Sequence, residues 1–196
     1  MLTSVGCRFL VHVPNIDERV FHEEAKRDGW TAARLATTLA LEKARTVSPL
    51  YPRDIVLGSD QVLEMESDFI SKAKDCEEAL RNLSRLSGKK HRLVSAAILL
   101  KDKTEPRVMV DRATLVMRSL NPRQIRRYLD LAGTGILGSV GCYHIEGLGP
   151  ILFENVEGDV FTIRGLPLHQ VLSALRDFGY DPLTNIHRPI RSPVNL

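Results

Sequence analysis

Residues 55–61 read Ile-Val-Leu-Gly-Ser-Asp-Gln. A short, continuous apolar run of this kind is what a buried strand shows, and it ends on a carboxylate. In open α/β sheets, ligand-binding groups sit just past the carboxyl ends of strands. Asp60 in that position could hold a divalent cation or accept a proton from an attacking water. Spacing alone leaves the alternative that it caps a turn.

The elements around this run interleave. Arg8 to Val13 (RFLVHV) reads as a strand closed by Pro14-Asn15, with the acidic Asp17-Glu18 pair in a loop after it. Thr31 is a plausible N-cap for a helix to Val47, with Ala32, Leu35, Ala36, Leu39 and Ala40 on one face. Asp75 and Glu78 make a capping-box pattern for a helix to Ser87, and Gly88 stops it. Leu93 to Leu100 and Arg107 to Arg118 are β-rich runs whose polar link predicts an antiparallel pair. Asn121-Pro122 with Gln124 opens another helix. A glycine-rich stretch from Gly133 to Gly149 follows, then two short strands (Ile151 to Phe153 and Val160 to Ile163) and a last helix from Pro167 to Phe178. This alternation predicts an α/β or mixed α+β fold. The expected organisation is one domain over 1–181 with a basic tail over 182–196.

With 196 residues the chain is long enough to bury a core without disulfides or metal staples. Three scattered cysteines (Cys7, Cys76, Cys142) form no zinc-like spacing, so reduced thiols in a cytoplasmic protein are expected. No segment reaches the length of a membrane span. A formal charge of +3 points to local cations awaiting an anionic ligand rather than to a nucleic-acid surface. Lys43, late in the first helix, and Lys72, beyond a hairpin after Asp60, suit dispersal of phosphate charge. Lys89 and Lys90 read as solvated.

In residues 138–147 (GSVGCYHIEG), Glu146 could accept hydrogen bonds from a base edge and would favour a base carrying positive charge. Cys142 and His144 lack an orienting partner for thiol chemistry. The glycine spacing is not followed by a helix, so it fails as a dinucleotide fingerprint.

Taken in order, AsnIleAspGlu at 15–18, LeuAlaLeuGluLysAla at 39–44, GlySerAspGlnVal at 58–62, Lys72, LeuSerGlyLysLysHis at 86–91, SerValGlyCysTyrHisIleGluGly at 139–147 and IleArgGlyLeuProLeu at 163–168 resemble the Maf (septum-formation protein) family of nucleoside triphosphate pyrophosphatases. The resemblance runs to about Asp181. It implies a two-lobed fold with a central mixed sheet and a cleft between the lobes. It also implies hydrolysis of a nucleoside triphosphate to monophosphate and pyrophosphate, which keeps modified nucleotides from being incorporated. Asp60 matches the proton acceptor, and Glu18, Lys43 and Lys72 match positions lining the triphosphate. Asp60 and Glu18 would hold magnesium or manganese. Gln61 and Glu146 match positions governing base choice, in the pattern of a branch acting on 7-methyl-GTP.

No membrane or nucleic-acid partner is implied, and a homodimer is compatible. Two departures stand out. Family members begin with a strand and a SerxSerxxArg phosphate loop, whereas here Met1-Leu2 aligns with the helix after that loop. Ala73 replaces the proline usual after the lysine. The first departure gives a second reading, a catalytically weakened nucleotide-binding or cell-division regulatory protein. A third reading, RNA binding, would use His187, Arg188 and Arg191 of the tail.

Overall fold

A computed structural model describes residues 1–66, 68–101 and 104–185. His187, Arg188 and Arg191 therefore lie outside the described residues. The architecture is mixed α/β, built on a five-stranded sheet of order β2-β1-β3-β4-β5. Its strands are β1 (Ile55–Met65), β2 (Asp68–Ile70), β3 (Lys90–Lys101), β4 (Arg107–Met117) and β5 (Phe153–Glu157). The resemblance implies a mixed sheet, but every pairing among the described residues is antiparallel. Antiparallel neighbours need only short connections, and here β1–β2 and β3–β4 are each joined by a few residues.

Asp60 is consequently not beyond the end of a strand. It is the sixth residue of an eleven-residue strand, opposite Ala96 of β3. The apolar run stops at Gly58, but the pairing continues because Leu63 and Met65 are again buried against the core.

Helix α1 (Glu18–Arg27) starts where a loop was expected, since the Asp17 carboxylate accepts the Arg19 N–H and caps it. Glu18 is thus the first residue of a helix, not part of a loop. Helix α2 (Ala32–Val47) has the predicted bounds, with the Thr31 hydroxyl accepting from the Arg34 N–H. It lies directly on β1. A methyl group on Gly58 would overlap the Ala40 carbonyl oxygen and fall 2.8 Å from the Ala44 nitrogen and 2.9 Å from its Cβ. The alanines of α2 and the missing side chain of Gly58 together bring helix and strand into backbone contact.

On the sheet's other flank stand α3 (Cys76–Leu86) and α4 (Pro122–Ala132). Asp75 caps α3 as expected, but Glu78 reaches back to the Lys74 N–H rather than to that of the cap itself. The capping box at Asn121 and Gln124 is complete. Short α5 (Val160–Ile163), α6 (Leu168–Asp177) and α7 (Pro182–Asn185) close the described chain. None of the described helices is long and apolar enough to cross a membrane, and all three cysteines are free thiols.

Three further expectations are corrected. Arg8 to Val13 pairs with no described strand, and Phe9, Leu10, Val11 and Val13 are exposed. Local β-propensity makes a strand only where a neighbouring backbone takes up its hydrogen bonds. Val160 to Ile163 forms a helical turn, because Asp159 caps it at the Phe161 N–H and the Ile163 N–H closes on the Asp159 carbonyl. The strand placed at Ile151 to Phe153 begins only at Phe153, after a 3-10 turn over Gly149–Leu152 containing Pro150.

His91 of β3 ties the glycine-rich loop to the sheet. It is 1% exposed, its Nε2 lies 2.8 Å from the Tyr143 hydroxyl, and the Phe153 ring flanks it. Burial lowers its pKa from 6.5 to about 4, only partly opposed by the Lys89 backbone. Below pH 6.5 the unfolded chain takes up this proton first. The stabilisation is therefore complete above 6.5 and is lost as pH falls through 4. That drop corresponds to about 3 kcal/mol. Urea unfolding of wild type between pH 7 and pH 4 is expected to show this loss, and His91→Gln to show a correspondingly flatter dependence.

Candidate active site

A cleft of about 550 Å³ opens beside the middle of β1. Six side chains singled out by the sequence line it together: Glu18, Lys43, Asp60, Gln61, Lys72 and Glu146. They come from α1, α2, β1, the segment after β2 and the glycine-rich loop.

The centre of the cluster is Lys43. Its ammonium donates to Asp60 Oδ1 at 2.5 Å and lies 2.7 Å from Glu18 Oε1. The α2–β1 contact at Gly58 makes this possible, because Lys43 and Ala44 are consecutive on the helix that rests on that glycine. Side-chain exposure is 19% for Lys43, 11% for Asp60 and 41% for Glu18. The pair is thus nearly closed off, with Glu18 at its rim.

Burial pushes the Asp60 carboxyl above the usual carboxylate range, against the opposing pull of Lys43 and, more weakly, Lys72. For Glu18, desolvation works against the ionised form, yet the hydrogen bond and charge of Lys43, with Lys72 and His22, leave its carboxyl below that range. Burial also works against the charge on Lys43, but Asp60 and Glu18 hold its proton on and raise its pKa. The result is a carboxylate with raised proton affinity beside a firmly charged ammonium. Such a pair can take a proton from a bound water and offset negative charge at the same point.

Lys72 is exposed at the cleft and leaves its charge available to an anion. The residue before it is anchored from α3, where the Asn82 amide donates to the Ser71 carbonyl at 3.1 Å. Ala73 is buried behind it. Lys89 pairs with Glu66 on the surface at 3.2 Å, and Lys90 is exposed, both as expected of solvated lysines.

Along a strand, alternate side chains face opposite sides, so Ser59 and Gln61 face away from Lys43 and toward α5. The Gln61 amide nitrogen lies 3.0 Å from Ser95 Oγ, 2.8 Å from the Thr162 carbonyl and 3.1 Å from the Ile163 carbonyl. Its donors are spent on protein, which leaves its carbonyl oxygen to offer a ligand. Ser95 donates to the same Thr162 carbonyl, and the Thr162 hydroxyl donates to Asp111.

Glu146 sits in the loop after Tyr143, in a turn where the Gly147 and Gly149 N–H groups both donate to the His144 carbonyl. A side chain at Gly149 would collide with that carbonyl group. Glu146 is met by Arg164, whose Nε lies 3.2 Å from its Oε1. Sequence reasoning assigned no role to Arg164, Ser59, His22 or the Ser95–Thr162–Asp111 chain, although Ser59 and Arg164 stand inside two of the ordered motifs. A motif does not show which side chains meet, and these meet only through the fold. Cys142 is fully buried, and burial pushes its thiol up to about 11 despite the Ala73 backbone and the Asn82 amide. A thiolate nucleophile there is disfavoured.

Removing Lys43 leaves the Asp60 carboxylate without its cation in a nearly dry site, which costs about 3 kcal/mol when a buried pair is broken. In Lys43→Met the folded carboxyl would sit further above its unfolded value. The variant is then least handicapped below the unfolded pKa and loses ground as pH rises through the raised one. The difference between wild type and Lys43→Met in urea unfolding is expected to be larger at pH 8 than at pH 5.

Comparison with known proteins shows the family. A family model described as "Maf-like protein" matches residues 1–178. A protein of Jannaschia sp. named nucleoside triphosphate pyrophosphatase 1 is 40% identical over 179 residues, 91% of this chain and 90% of that protein. Proteins of Bartonella henselae and Mesorhizobium japonicum, each named 7-methyl-GTP pyrophosphatase, are 42% identical over 180 residues and 41% over 179. Each match covers 91% of this chain, and 89% and 90% of those proteins respectively. With its cleft built on β1 and its family match spanning nine-tenths of the sequence, the chain belongs to the Maf-like family.

Proposed function

We propose that the chain hydrolyses a nucleoside triphosphate to the monophosphate and pyrophosphate, with Asp60 as the proton acceptor. The observation that carries this is the Lys43 ammonium bridging Asp60 and Glu18 in a cleft that Gln61 and Glu146 also line. The cationic cluster suits phosphates, and the Glu146 carboxylate suits a base.

In this reading Asp60 takes a proton from water as its oxygen bonds to the α-phosphorus. The bond from that phosphorus to the α–β bridging oxygen breaks, and pyrophosphate leaves with the electron pair. Lys43 keeps the Asp60 carboxyl in place and Lys72 offsets charge on the departing group. The raised proton affinity of Asp60 makes it a better acceptor than an ordinary carboxylate.

The donor set also suits a divalent cation. Two carboxylates already converge on one positive centre, the Lys43 ammonium, and magnesium is commonly held by one or two carboxylates plus substrate phosphates. Asp60 and Glu18 would hold magnesium or manganese, which would supply charge neutralisation on the phosphates.

A carboxylate suits N–H donors and positive charge on a base. 7-methyl-GTP presents both, as the names of several relatives suggest for those proteins. Glu146 and the Gln61 carbonyl oxygen are the groups assigned to base choice.

Pyrophosphate release from 7-methyl-GTP and GTP tests the reading. Asp60→Asn is expected to lower kcat by about a thousandfold, and unchanged turnover would end the proposal. Lys72→Met is expected to lower kcat/KM by roughly tenfold or more as one phosphate contact is lost.

A further inference from the structure

We infer that Arg164 sets the preference between neutral and cationic bases by holding the carboxylate of Glu146 in an ion pair. The inference rests on the reading of Glu146 as a base-contacting group. Arg164 lies in the turn after α5, and its Nε is 3.2 Å from Glu146 Oε1. Both residues line the same cleft as Asp60, with half of the Glu146 side chain and a third of that of Arg164 exposed.

The backbone on both sides of Arg164 is held by the strand that carries Asp60. The Gln61 amide donates to the Thr162 and Ile163 carbonyls, and the Ser59 hydroxyl donates to the Gly165 carbonyl at 3.2 Å. Gly165 has φ +100°, a conformation L side chains rarely adopt. The turn therefore has a fixed course, and the arginine leaves it facing Glu146.

The electrostatic consequence is direct. An unpaired carboxylate at this point would attract a base bearing positive charge more than a neutral one. With a guanidinium on Oε1, its charge is largely offset, and an incoming cationic base also meets the like charge of Arg164. Hydrogen bonding survives, because a carboxylate has acceptor sites to spare after one N–H donor. The pair thus reads the N–H edge of a guanine while discounting the charge that a 7-methyl group adds. Ser59 acts on base choice through this turn, as a positioning residue, and the Gln61 amide helps hold the turn while its carbonyl oxygen stays available to the base.

The test compares kcat/KM for 7-methyl-GTP and GTP at low ionic strength in wild type, Arg164→Gln, Arg164→Lys and Glu146→Gln. Calorimetric affinities for 7-methyl-GMP and GMP, which need no turnover, accompany them. Arg164→Gln is expected to raise the ratio of 7-methylated to unmethylated nucleotide by about fivefold, the scale of a half-exposed ion pair. Arg164→Lys, which keeps the charge, is expected to stay near wild type, and Glu146→Gln to lower the ratio. If Glu146→Gln lowers the ratio while Arg164→Gln leaves it unchanged, the inference about Arg164 is overturned and Glu146 stands. If neither changes it, both the inference and the base-contacting role of Glu146 fall. If Arg164→Gln weakens both nucleotides equally, Arg164 serves a phosphate and the inference is likewise overturned.

Discussion

The contact of α2 with Gly58 is the constraint on which the site depends. Ala40 and Ala44 lie so close to the strand that any side chain at position 58 would strike helix backbone. At that spacing, the lysine beside Ala44 reaches the carboxylate two residues beyond Gly58. A helix lifted by one methyl group would widen the gap between Lys43 and Asp60 and admit water between them. The raised proton affinity of Asp60 and the tight ion pair thus depend on the close packing of helix backbone and alanine methyls against a glycine.

Strand alternation then divides labour within three consecutive residues. Asp60 faces Lys43, while Ser59 and Gln61 face the opposite way and hold the turn that carries Arg164. Phosphate-side and base-side groups are fixed by one short piece of strand, although the Asp60 partner Lys43 lies 17 residues earlier and the carbonyls held by Ser59 and Gln61 lie 101 to 106 residues further on.

Much of this was legible in the sequence. Helix α2, the cap at Thr31, the box at Asn121 and the β3–β4 pair follow from local capping and periodicity, and they stand where expected. The six candidate residues share one cleft, although they are scattered along the chain from Glu18 to Glu146. The misreadings have a common cause. RFLVHV and VFTI both carry β-propensity, but one finds no pairing strand among the described residues and the other is closed into a turn by Asp159 and held there by Gln61. Partners distant along the chain bear on both: a pairing strand that the first lacks among the described residues, and Gln61, which adds to the local cap at Asp159 in the second. The Arg164–Glu146 pair was invisible for the same reason. So was the pairing of β1 beyond Gly58, which rests on β3 rather than on the local apolar run.

The groups that line the cleft are unequally anchored. Asp60 and Lys43 belong to a strand and a helix in backbone contact, where almost any exchange disturbs the core. Glu146 stands in a glycine-rich turn held mainly by its own backbone, and it can be exchanged without moving the sheet. Descendants of such a molecule could therefore explore new nucleobases by altering a surface loop while inheriting the phosphate chemistry intact.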